Sequence, residues 1–554
     1  MAYDTLVKNA LIVDGTGKNK AYSGSVAIQN GRIAAVGKVS GEAKRMIDAK
    51  GQVVAPGFID AHTHYDAQLL WDPSIDPACK HGVTSILMGN CGFTLAPVKR
   101  EDQDYMLGLF SATEEVPKSA LLRHAPLPWE SFAEYLSFVE KSALGVNVLT
   151  QVGHSAMRHY VMGKSSLERA ATSEEIAAMV RLAEDAMDAG AAGVSSSFSP
   201  SHIDEFGGHI PSFYSAEAEM EALAAAVRRK GKRLVSINPR SKREGLTEQD
   251  QAFLSRLAEV SGAVVSWNDF GARAPRWEET LTFMEREIER GHKVYVVARC
   301  QPAEMRFSLD KMSPLYSGAQ PWIEYCRLDH AAKMAALADP GWRARLAEYW
   351  NPVLRYLQIA IIEKASSPST RALTGRRLPD VARERGVGLI DALFDVARED
   401  NLGTFFLLRS EAASDESEAE RILKSPATLV GISDGGAHLQ TFAGADYPTY
   451  FLKHWVREKG TFTLEEGVAA LTSAAADFIG LTDRGTLAVG KAADLVIFDP
   501  ECVEPASLET LDFPGGGVRL AKQARGIPWV IVNGVPIVES GEPTGAVPGR
   551  LLRS

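Results

Sequence analysis

The middle of the chain, residues 57–432, repeats one hydrophobic pattern. Short apolar runs rich in β-branched residues alternate with longer amphipathic segments, such as residues 173–189 and 215–230. Such runs are typical of buried parallel strands, and the segments between them are typical of covering helices. The runs are residues 57–60, 84–88, 146–152, 192–196, 233–237, 263–267, 293–298 and 427–432. Eight such units predict an α/β fold, a (β/α)8 TIM barrel.

Both ends of the chain have a different pattern, with short strands and tight turns. The predicted strands are residues 4–7, 11–13, 25–28, 33–36, 53–56, 493–498, 518–521, 529–532 and 535–538. Asn30-Gly31 and Asn533-Gly534 are strong hairpin turns. Neither end is large enough to bury its own core, and chain ends often lie close together. We therefore expect residues 1–55 and 485–554 to form a small β-sandwich beside a barrel at 56–484.

The interval between the seventh and eighth runs is too long for one helix. We expect a helical insertion at about residues 300–425, near the mouth of the barrel. Its aromatic residues include Trp322, Tyr325, Trp342, Tyr349, Trp350 and Tyr356. Two interpretations are open, because these residues suit a substrate lid and suit equally a packed helical subdomain.

Composition and charge exclude several classes of protein. A formal net charge of −10 argues against a nucleic-acid partner. No run approaches the roughly 20 apolar residues that span a bilayer, and the start of the chain lacks a signal-peptide pattern. Five scattered cysteines do not form a disulfide framework, and their odd number suggests a reducing compartment. We expect a cytoplasmic protein with no membrane partner that can assemble as a homo-oligomer.

Metal-binding residue types follow three of the predicted strands at the ends where barrel enzymes place their catalytic groups. His62 and His64 follow the first run, and a spacing of two residues points both side chains to one face. Cys91 follows the second run between glycines, and Asp434 follows the eighth. Imidazole, thiolate and carboxylate are zinc ligands, and a carboxylate also accepts a proton from water. We predict that these four residues bind a metal and that Asp434 is catalytic.

Each of these residues also has a structural interpretation. The histidines suit a buried hydrogen-bonded pair, the cysteine suits a small buried apolar residue, and Asp-Gly-Gly suits a turn. Other polar residues at or near strand ends are predicted to bind substrate: His154, Ser196, Asn238, Arg240 and Asn268. A purely structural hydrogen bond is an equally open interpretation for His154.

Seven segments together resemble the amidohydrolase superfamily, specifically its D-aminoacylase (N-acyl-D-amino-acid deacylase) branch. These are residues 11–15, 55–66, the GNCGFTLAP stretch at 89–97, 152–154, 190–196, 431–435 and DRGTLAVGKAADLVIFDP at 483–500. The resemblance implies a (β/α)8 barrel beside a β-sandwich and zinc-dependent hydrolysis of N-acyl-D-amino acids. It implies that His62, His64 and Asp434 hold the outer metal and that Asp434 is the general acid/base. Cys91 matches a thiolate that replaces a carboxylated lysine.

The chain departs from the family pattern at strands five and six. Asn238 and Asn268 stand where the family has metal-binding histidines, and a neutral amide is a poor zinc ligand. We therefore expect one zinc ion and doubt a second site. His202, His209 or His438 could replace a lost ligand from a loop, and this question stays open. The family lysine after strand six is missing, and residues 441–450 contain no Arg or Lys.

The sequence thus predicts an EC 3.5-type enzyme that hydrolyses a small-molecule amide, similar to N-acyl amino acid deacylases. Because basic residues are missing at two positions, we expect a neutral or hydrophobic amide. Metal-activated water would attack, with Asp434 as general acid/base. One alternative is a mononuclear site that acts on a lactone or a cyclic imide, or that catalyses a lyase step. Another is a non-enzymatic binding protein that descends from the family.

Overall fold

The computed structural model describes residues 2–242, 244–270, 274–310, 320–350, 357–410, 416–513 and 518–553. Its strands are β1 Tyr3–Ile12, β2 Tyr22–Gln29, β3 Arg32–Gly37, β4 Ala43–Asp48, β5 Val53–Pro56, β6 Phe58–Asp60, β7 Val83–Met88, β8 Asn147–Thr150, β9 Val152–Gly153, β10 Gly193–Ser197, β11 Leu234–Asn238, β12 Val264–Phe270, β13 Lys293–Ala298, β14 Ala303–Phe307, β15 Ala360–Lys364, β16 Phe405–Ser410, β17 Thr428–Val430, β18 Leu495–Phe498, β19 Glu504–Asp512, β20 Val518–Arg525, β21 Trp529–Val532, β22 Val535–Glu539 and β23 Glu542–Pro543.

The α-helices of the described residues lie between and after the parallel strands. They are α1 Gln103–Glu114, α2 Lys118–Leu122, α3 Phe132–Lys141, α4 His154–Met162, α5 Ser173–Ala189, α6 Glu217–Arg229, α7 Glu248–Ser261, α8 Trp277–Glu289, α9 Gln320–Arg327, α10 His330–Ala338, α11 Pro340–Trp350, α12 Leu378–Arg385, α13 Leu389–Glu399, α14 Glu416–Leu423, α15 Tyr447–Phe451, α16 Leu464–Leu471 and α17 Ser473–Ile479. Among these described helices, none is both long enough and apolar enough to cross a membrane.

Strands from both ends of the chain share one mixed sheet. Its order is β23-β22-β21-β18-β5-β1-β2-β3, and β4 pairs with β1. The link between the two ends is the antiparallel pairing of β18 with β5. Positive φ angles at Asn30, Gly31, Asn533 and Gly534 form the two predicted hairpin turns. The sequence pattern did not indicate β4 or β19, since both are largely polar. The two-layer sandwich and the domain boundaries stay predictions.

The central strands pair in parallel, and each predicted run overlaps at least one of them; the run at residues 146–152 covers β8 and the first residue of β9. One sheet has the order β6-β7-β8, and a second has the order β17-β13-β12-β11-β10-β9. Only Gln151 separates β8 from β9 along the chain. At the other end of the order, an isolated parallel bridge joins Thr63, after β6, to Gly435, after β17. The carboxyl ends of these strands therefore converge on one region.

The segment between β13 and β17 has its own hydrophobic core. Trp322 and Tyr325 are fully buried in it, and the Tyr325 hydroxyl donates to the carbonyl of Leu309 at 2.9 Å. The expected helices, α9 to α13, lie in this segment, and β14, β16 and β15 form an antiparallel sheet beside them that the sequence pattern did not indicate. Burial of these aromatic residues favours a packed subdomain over a lid. Tyr356 and the side chains of Tyr349 and Trp350 lie outside what the structure describes.

Candidate metal centre

The segment of His62, Thr63 and His64 is hydrogen-bonded on both sides, to β7 and to the loop after β17. The Thr63 hydroxyl donates to the carbonyl of Leu87 at 2.8 Å, and the His64 amide donates to the carbonyl of Gly435 at 2.7 Å. These bonds fix the backbone of Thr63 and His64 between β7 and the loop after β17. As a result, the two imidazole centroids lie 5.3 Å apart, and both side chains are buried.

Cys91 lies on a tight turn that only small neighbours permit. Its own φ is 54°, and Gly89 and Gly92 also have positive φ angles. A Cβ atom on Gly89 would lie 2.3 Å from the carbonyl oxygen of Gln151, so a side chain is excluded there. The turn brings the Cys91 sulfur to 3.6 Å from Nε2 of His62.

The structure brings three of the predicted metal ligands together. One donor atom from each of His62, His64 and Cys91 lies within 4.8 Å of the others, and all three residues are buried. Among the described residues this is the only such group, and neither His202, His209 nor His438 belongs to it. Two imidazoles and a thiol that are all buried fit a borderline-soft divalent ion such as zinc.

Asp434, the fourth predicted ligand, lies next to both histidines. Its Oδ1 atom is 3.5 Å from Nε2 of His62 and 3.6 Å from Nε2 of His64. Its backbone has a φ of 50°, which is uncommon for a residue with a side chain. Burial raises the pKa of Asp434, but the charges of His62, Arg299 and His64 outweigh burial and hold the pKa below its usual range. The carboxylate is therefore ionised at neutral pH.

Arg299 is a residue of this site that the sequence analysis did not identify. It directly follows β13, and its Nη2 atom lies 3.1 Å from Oδ2 of Asp434. The guanidinium also lies 4.6 Å from the centroid of the Phe442 ring. The rule that found Asp434, position at the carboxyl end of a barrel strand, would have found Arg299 at the end of the seventh run.

Glu114 is a second residue that the sequence analysis missed. It ends helix α1, it is buried, and its Oε1 atom lies 3.2 Å from Nδ1 of His64. Burial raises the pKa of Glu114 well above its usual range. Next to it, the Glu115 carboxylate accepts a hydrogen bond from the Thr441 hydroxyl, in the loop after strand eight. No strand pattern precedes Glu114, so the sequence held no signal for it.

Asn238 contacts both Cys91 and the second asparagine, Asn268. Nδ2 of Asn238 donates to the sulfur of Cys91 at 3.2 Å, and Oδ1 of Asn238 accepts from the backbone N–H of Asn268 at 3.4 Å. Both line a small cavity beside the cluster. The other lining residues are His62, Cys91, Ser196, Ser236, Ile237, Ser266 and Trp267.

His154 lies behind the cavity wall rather than in it. Its Nδ1 atom is 2.9 Å from the hydroxyl oxygen of Ser196, and its Nε2 atom is 3.6 Å from Oε2 of Glu219. Glu219 is also paired with Arg158, and all four residues are buried. Burial lowers the pKa of His154, so its imidazole is neutral at neutral pH. Ser196 is the one member of this network that lines the cavity.

The structure does not bring Arg240 to the cavity wall. Its guanidinium lies over the rings of Phe198 and Phe213, at 5.2 and 4.8 Å from their centroids. Nη2 of Arg240 donates to the carbonyl of Phe213 at 3.0 Å. Arg240 was predicted to bind substrate, but it is not among the residues that line this cavity.

Comparison with known proteins agrees with this geometry. Residues 45–538 match the family described as the amidohydrolase family. The chain is 30% identical to a D-aminoacylase of Alcaligenes xylosoxydans xylosoxydans, over 99% of this chain and 97% of that protein. A structure of D-aminoacylase, described as having a binuclear metal centre with one-metal activation and second-metal attenuation, has a TM-score of 0.68 and 27% identity over 100% of both chains.

A second structure supports the fold alone. N-acyl-D-glutamate deacylase from Bordetella bronchiseptica, complexed with zinc and a phosphonate inhibitor, has a TM-score of 0.69 and 24% identity over 100% of both chains. The family match covers most of the sequence, and the full-length relative is similar across both end segments and the centre. This chain is therefore an enzyme of the amidohydrolase family and belongs to its D-aminoacylase-like branch.

Proposed function

We propose that this enzyme is a metal-dependent hydrolase of an amide C–N bond in a small molecule, similar to N-acyl amino acid deacylases. The observation that carries the proposal is the buried group of His62, His64 and Cys91, with the Asp434 carboxylate within 3.6 Å of both imidazoles. The names of the relatives, D-aminoacylase and N-acyl-D-glutamate deacylase, support the same bond type.

The proposal includes the predicted architecture. Residues 56–484 form a closed (β/α)8 barrel, and residues 1–55 with 485–554 form the accompanying β domain. The parallel strand orders and the bridge from Thr63 to Gly435 support closure. In such a barrel the strand ends that carry the four predicted ligands surround one cavity.

One zinc ion is proposed, held by His62, His64, Cys91 and Asp434. When bound, such an ion lowers the pKa of a water and polarises a carbonyl group. Asn238 donates to the sulfur of Cys91 and, as a neutral amide, offers little to a second ion. These contacts support a mononuclear site.

Asp434 is the proposed general acid/base. Its depressed pKa keeps it ionised, so that it can accept a proton from the attacking water and pass it to the leaving nitrogen. Ser196, Asn238 and Asn268 offer hydrogen-bonding groups at the cavity wall for the substrate. Neutral His154 holds the Ser196 hydroxyl in place from behind.

Asp434→Asn tests the mechanism directly. We expect this variant to lose activity by a factor on the order of 1,000 or more while it keeps its fold and, through the remaining ligands His62, His64 and Cys91, most of its metal. Asp188→Asn, which changes a surface carboxylate paired with Lys230, is the matched control and should retain activity. An Asp434→Asn enzyme with normal turnover would overturn the proposed role.

The two asparagines also favour a second candidate, the same scaffold acting on a lactone or a cyclic imide, or in a lyase step. Profiling the purified enzyme against amides, lactones and cyclic imides separates these reactions. A non-enzymatic binding role would appear as substoichiometric metal that a chelator removes without effect on ligand binding. Cytoplasmic location and homo-oligomer formation stay predictions, tested by cell fractionation and light scattering.

A further inference from the structure

Three serine residues, Ser196, Ser236 and Ser266, line the cavity beside the metal centre. A serine hydroxyl donates one hydrogen bond and accepts through two lone pairs. What such a hydroxyl offers a substrate therefore depends on where its hydrogen points. The partners of these hydroxyls within the protein settle that direction.

The hydrogen of the Ser196 hydroxyl points to His154. Nδ1 of His154 lies 2.9 Å from Oγ of Ser196, and Nε2 of His154 lies 3.6 Å from Oε2 of Glu219. A carboxylate attracts a ring N–H and repels a ring lone pair, so the one hydrogen of the neutral imidazole is on Nε2. Nδ1 then carries a lone pair, and the Ser196 hydroxyl donates to it.

The Glu219 carboxylate stays ionised although it is buried. Nη1 of Arg158 contacts both of its oxygens, and the backbone N–H of Ala171 donates to Oε1 at 3.1 Å. Burial raises the pKa of Glu219, but the contacts with His154 and Arg158 outweigh burial and lower the pKa to about 2. Because Arg158 already compensates this charge, His154 stays neutral. Glu219, His154 and Ser196 thus have one order of protons, and both lone pairs of the Ser196 oxygen are left for the cavity.

The hydrogens of the other two serines are also used within the protein. Nδ2 of Asn90 donates to two backbone carbonyl groups, which leaves its Oδ1 to accept from Nε2 of Gln151 at 3.0 Å. Oε1 of Gln151 then accepts from the Ser236 hydroxyl at 3.0 Å, and Oγ of Ser236 accepts from the Ser266 hydroxyl at 3.0 Å. The three serines therefore present lone pairs, and not hydrogens, to a ligand in the cavity.

Ser196 lies nearer than the other two serines to the carboxyl ends of the strands, where the predicted metal ligands are. In the parallel pairing of β10 with β11, Ser195 is opposite Ser236, so Ser196 is one residue further toward that end. A Cβ atom on Gly92 would lie 3.2 Å from Cα of Ser196. The strand therefore packs directly against the turn that carries Cys91, and a group bound at the metal centre meets Ser196 first.

We propose that Ser196 is a specificity-determining residue whose hydroxyl oxygen accepts a hydrogen bond from the N–H of the scissile amide, and that His154 and Glu219 are the residues that position it. The inference rests on the proposed function and makes it more specific, since it separates amides that carry an N–H group from lactones and esters. An ester presents an oxygen lone pair to Ser196, and an N-methyl amide presents a methyl group. Neither supplies the hydrogen that the serine oxygen accepts.

Calorimetric binding to the Asp434→Asn enzyme tests this discrimination without turnover. One set of compounds is N-acetylalanine, N-acetyl-N-methylalanine and O-acetyllactate, each as both stereoisomers. The other is N-benzylacetamide, N-benzyl-N-methylacetamide and benzyl acetate. We expect the N–H amide of a set to bind about 3- to 10-fold more tightly than its two analogues, the effect of one hydrogen bond. Asp434→Asn/Ser196→Ala should bind that amide more weakly by the same factor and bind the analogues as before.

Ser197→Ala in the same background is the matched control. Ser197 is the next residue of β10 and is also buried, but it is not among the residues that line the cavity. This variant should keep the preference for the N–H amide. Equal weakening of amide and ester by Ser196→Ala overturns the inference. Equal or weaker binding of the N–H amide relative to the ester in Asp434→Asn overturns it too, and so does failure of both N–H amides to bind.

Nitrogen-15 NMR of the histidine-labelled wild type reads the order of protons directly. The two ring signals of His154 are those that disappear in His154→Asn. We expect Nε2 to show the shift of a protonated nitrogen and Nδ1 the shift of a nitrogen with a lone pair. A hydrogen on Nδ1 overturns the inference, because Ser196 would then accept from His154 and donate to the cavity. If the wild type hydrolyses none of the compounds, the proposed function fails, and the NMR and calorimetry still decide the role of Ser196.

Discussion

The side-chain amide of Asn238 donates a hydrogen bond of 3.2 Å to the sulfur of Cys91. A neutral amide therefore occupies the position where the family resemblance calls for an imidazole. Nδ2 has no lone pair to offer a metal, whereas a histidine there would present a nitrogen ligand to the sulfur side of the cluster. The contact is the physical basis for proposing a site with one ion and not two.

Restoring both histidines should create a second metal site. The double variant Asn238→His/Asn268→His places two imidazoles on the cavity wall beside Cys91. We expect the zinc content of the purified protein to rise from about one to about two ions per chain, as imidazole is a far better zinc ligand than an amide. Elemental analysis measures this ratio.

The matched control is Asn238→Ala/Asn268→Ala, which should stay at one ion per chain. If the double histidine variant also holds one ion, the residue type at these two positions is not what prevents a second site. The position of the backbone at β11 and β12 would then be the cause.

Removal of Glu114 should weaken metal binding. Its carboxyl group contacts Nδ1 of His64 at 3.2 Å, and such a partner orients an imidazole that ligates metal through its other nitrogen. We expect Glu114→Ala to lower zinc affinity by about 10- to 100-fold, measured by competition with a chromophoric chelator. Glu114→Gln should lose less, since it keeps an oxygen of the same size beside Nδ1 of His64. Unchanged zinc affinity in Glu114→Ala would show that the contact between Glu114 and His64 does not strengthen metal binding.

Glu219 should matter for stability more than for metal binding. It is paired with Arg158, and both residues are buried. Glu219→Ala leaves the guanidinium unpaired, and we expect a loss of roughly 3–5 kcal/mol in the free energy of unfolding. Glu217→Ala is the control on the same helix, because its partner Arg256 is partly exposed and the pair should contribute about 1 kcal/mol or less. Urea unfolding of both variants checks the difference, and equal losses would contradict the expectation.

Glu115 should make stability depend on pH. Burial raises its pKa to about 8, although the hydrogen bond from Thr441 opposes the rise. The folded state thus holds this proton more tightly than the unfolded state, and the stabilisation present at acidic pH is lost as pH rises through about 8. Glu115→Gln, which stays neutral, should be more stable than the wild type at pH 8.5 by up to a few kcal/mol, with little difference near pH 4.

The measurement is the difference between wild type and variant in the free energy of unfolding by urea, taken at each of the two pH values. The contributions of other titrating groups cancel in this difference. Glu101→Gln is the control, because Glu101 is exposed and lies just before helix α1, which ends next to Glu115. It should show no such dependence. A Glu115→Gln difference that is equal at both pH values would mean that the pKa of Glu115 is the same in the folded and the unfolded state.

The sequence by itself determined the strand pattern, the hairpin turns and the family. Buried parallel strands are apolar almost throughout, so each of the predicted runs could be recognised without its neighbours. His62, His64, Cys91 and Asp434 were found for a related reason, since chain position after a strand sets the direction of a side chain.

Only the tertiary structure decided which distant groups meet these residues. Glu114 reaches His64 from a helix end and Arg299 reaches Asp434 from another strand, and local sequence encodes neither contact. The sheet in the insertion was missed because its strands pair across long separations in the chain. The local hydrophobic pattern shows which side of one segment is buried. Charge compensation in a buried site depends instead on which segments pack together.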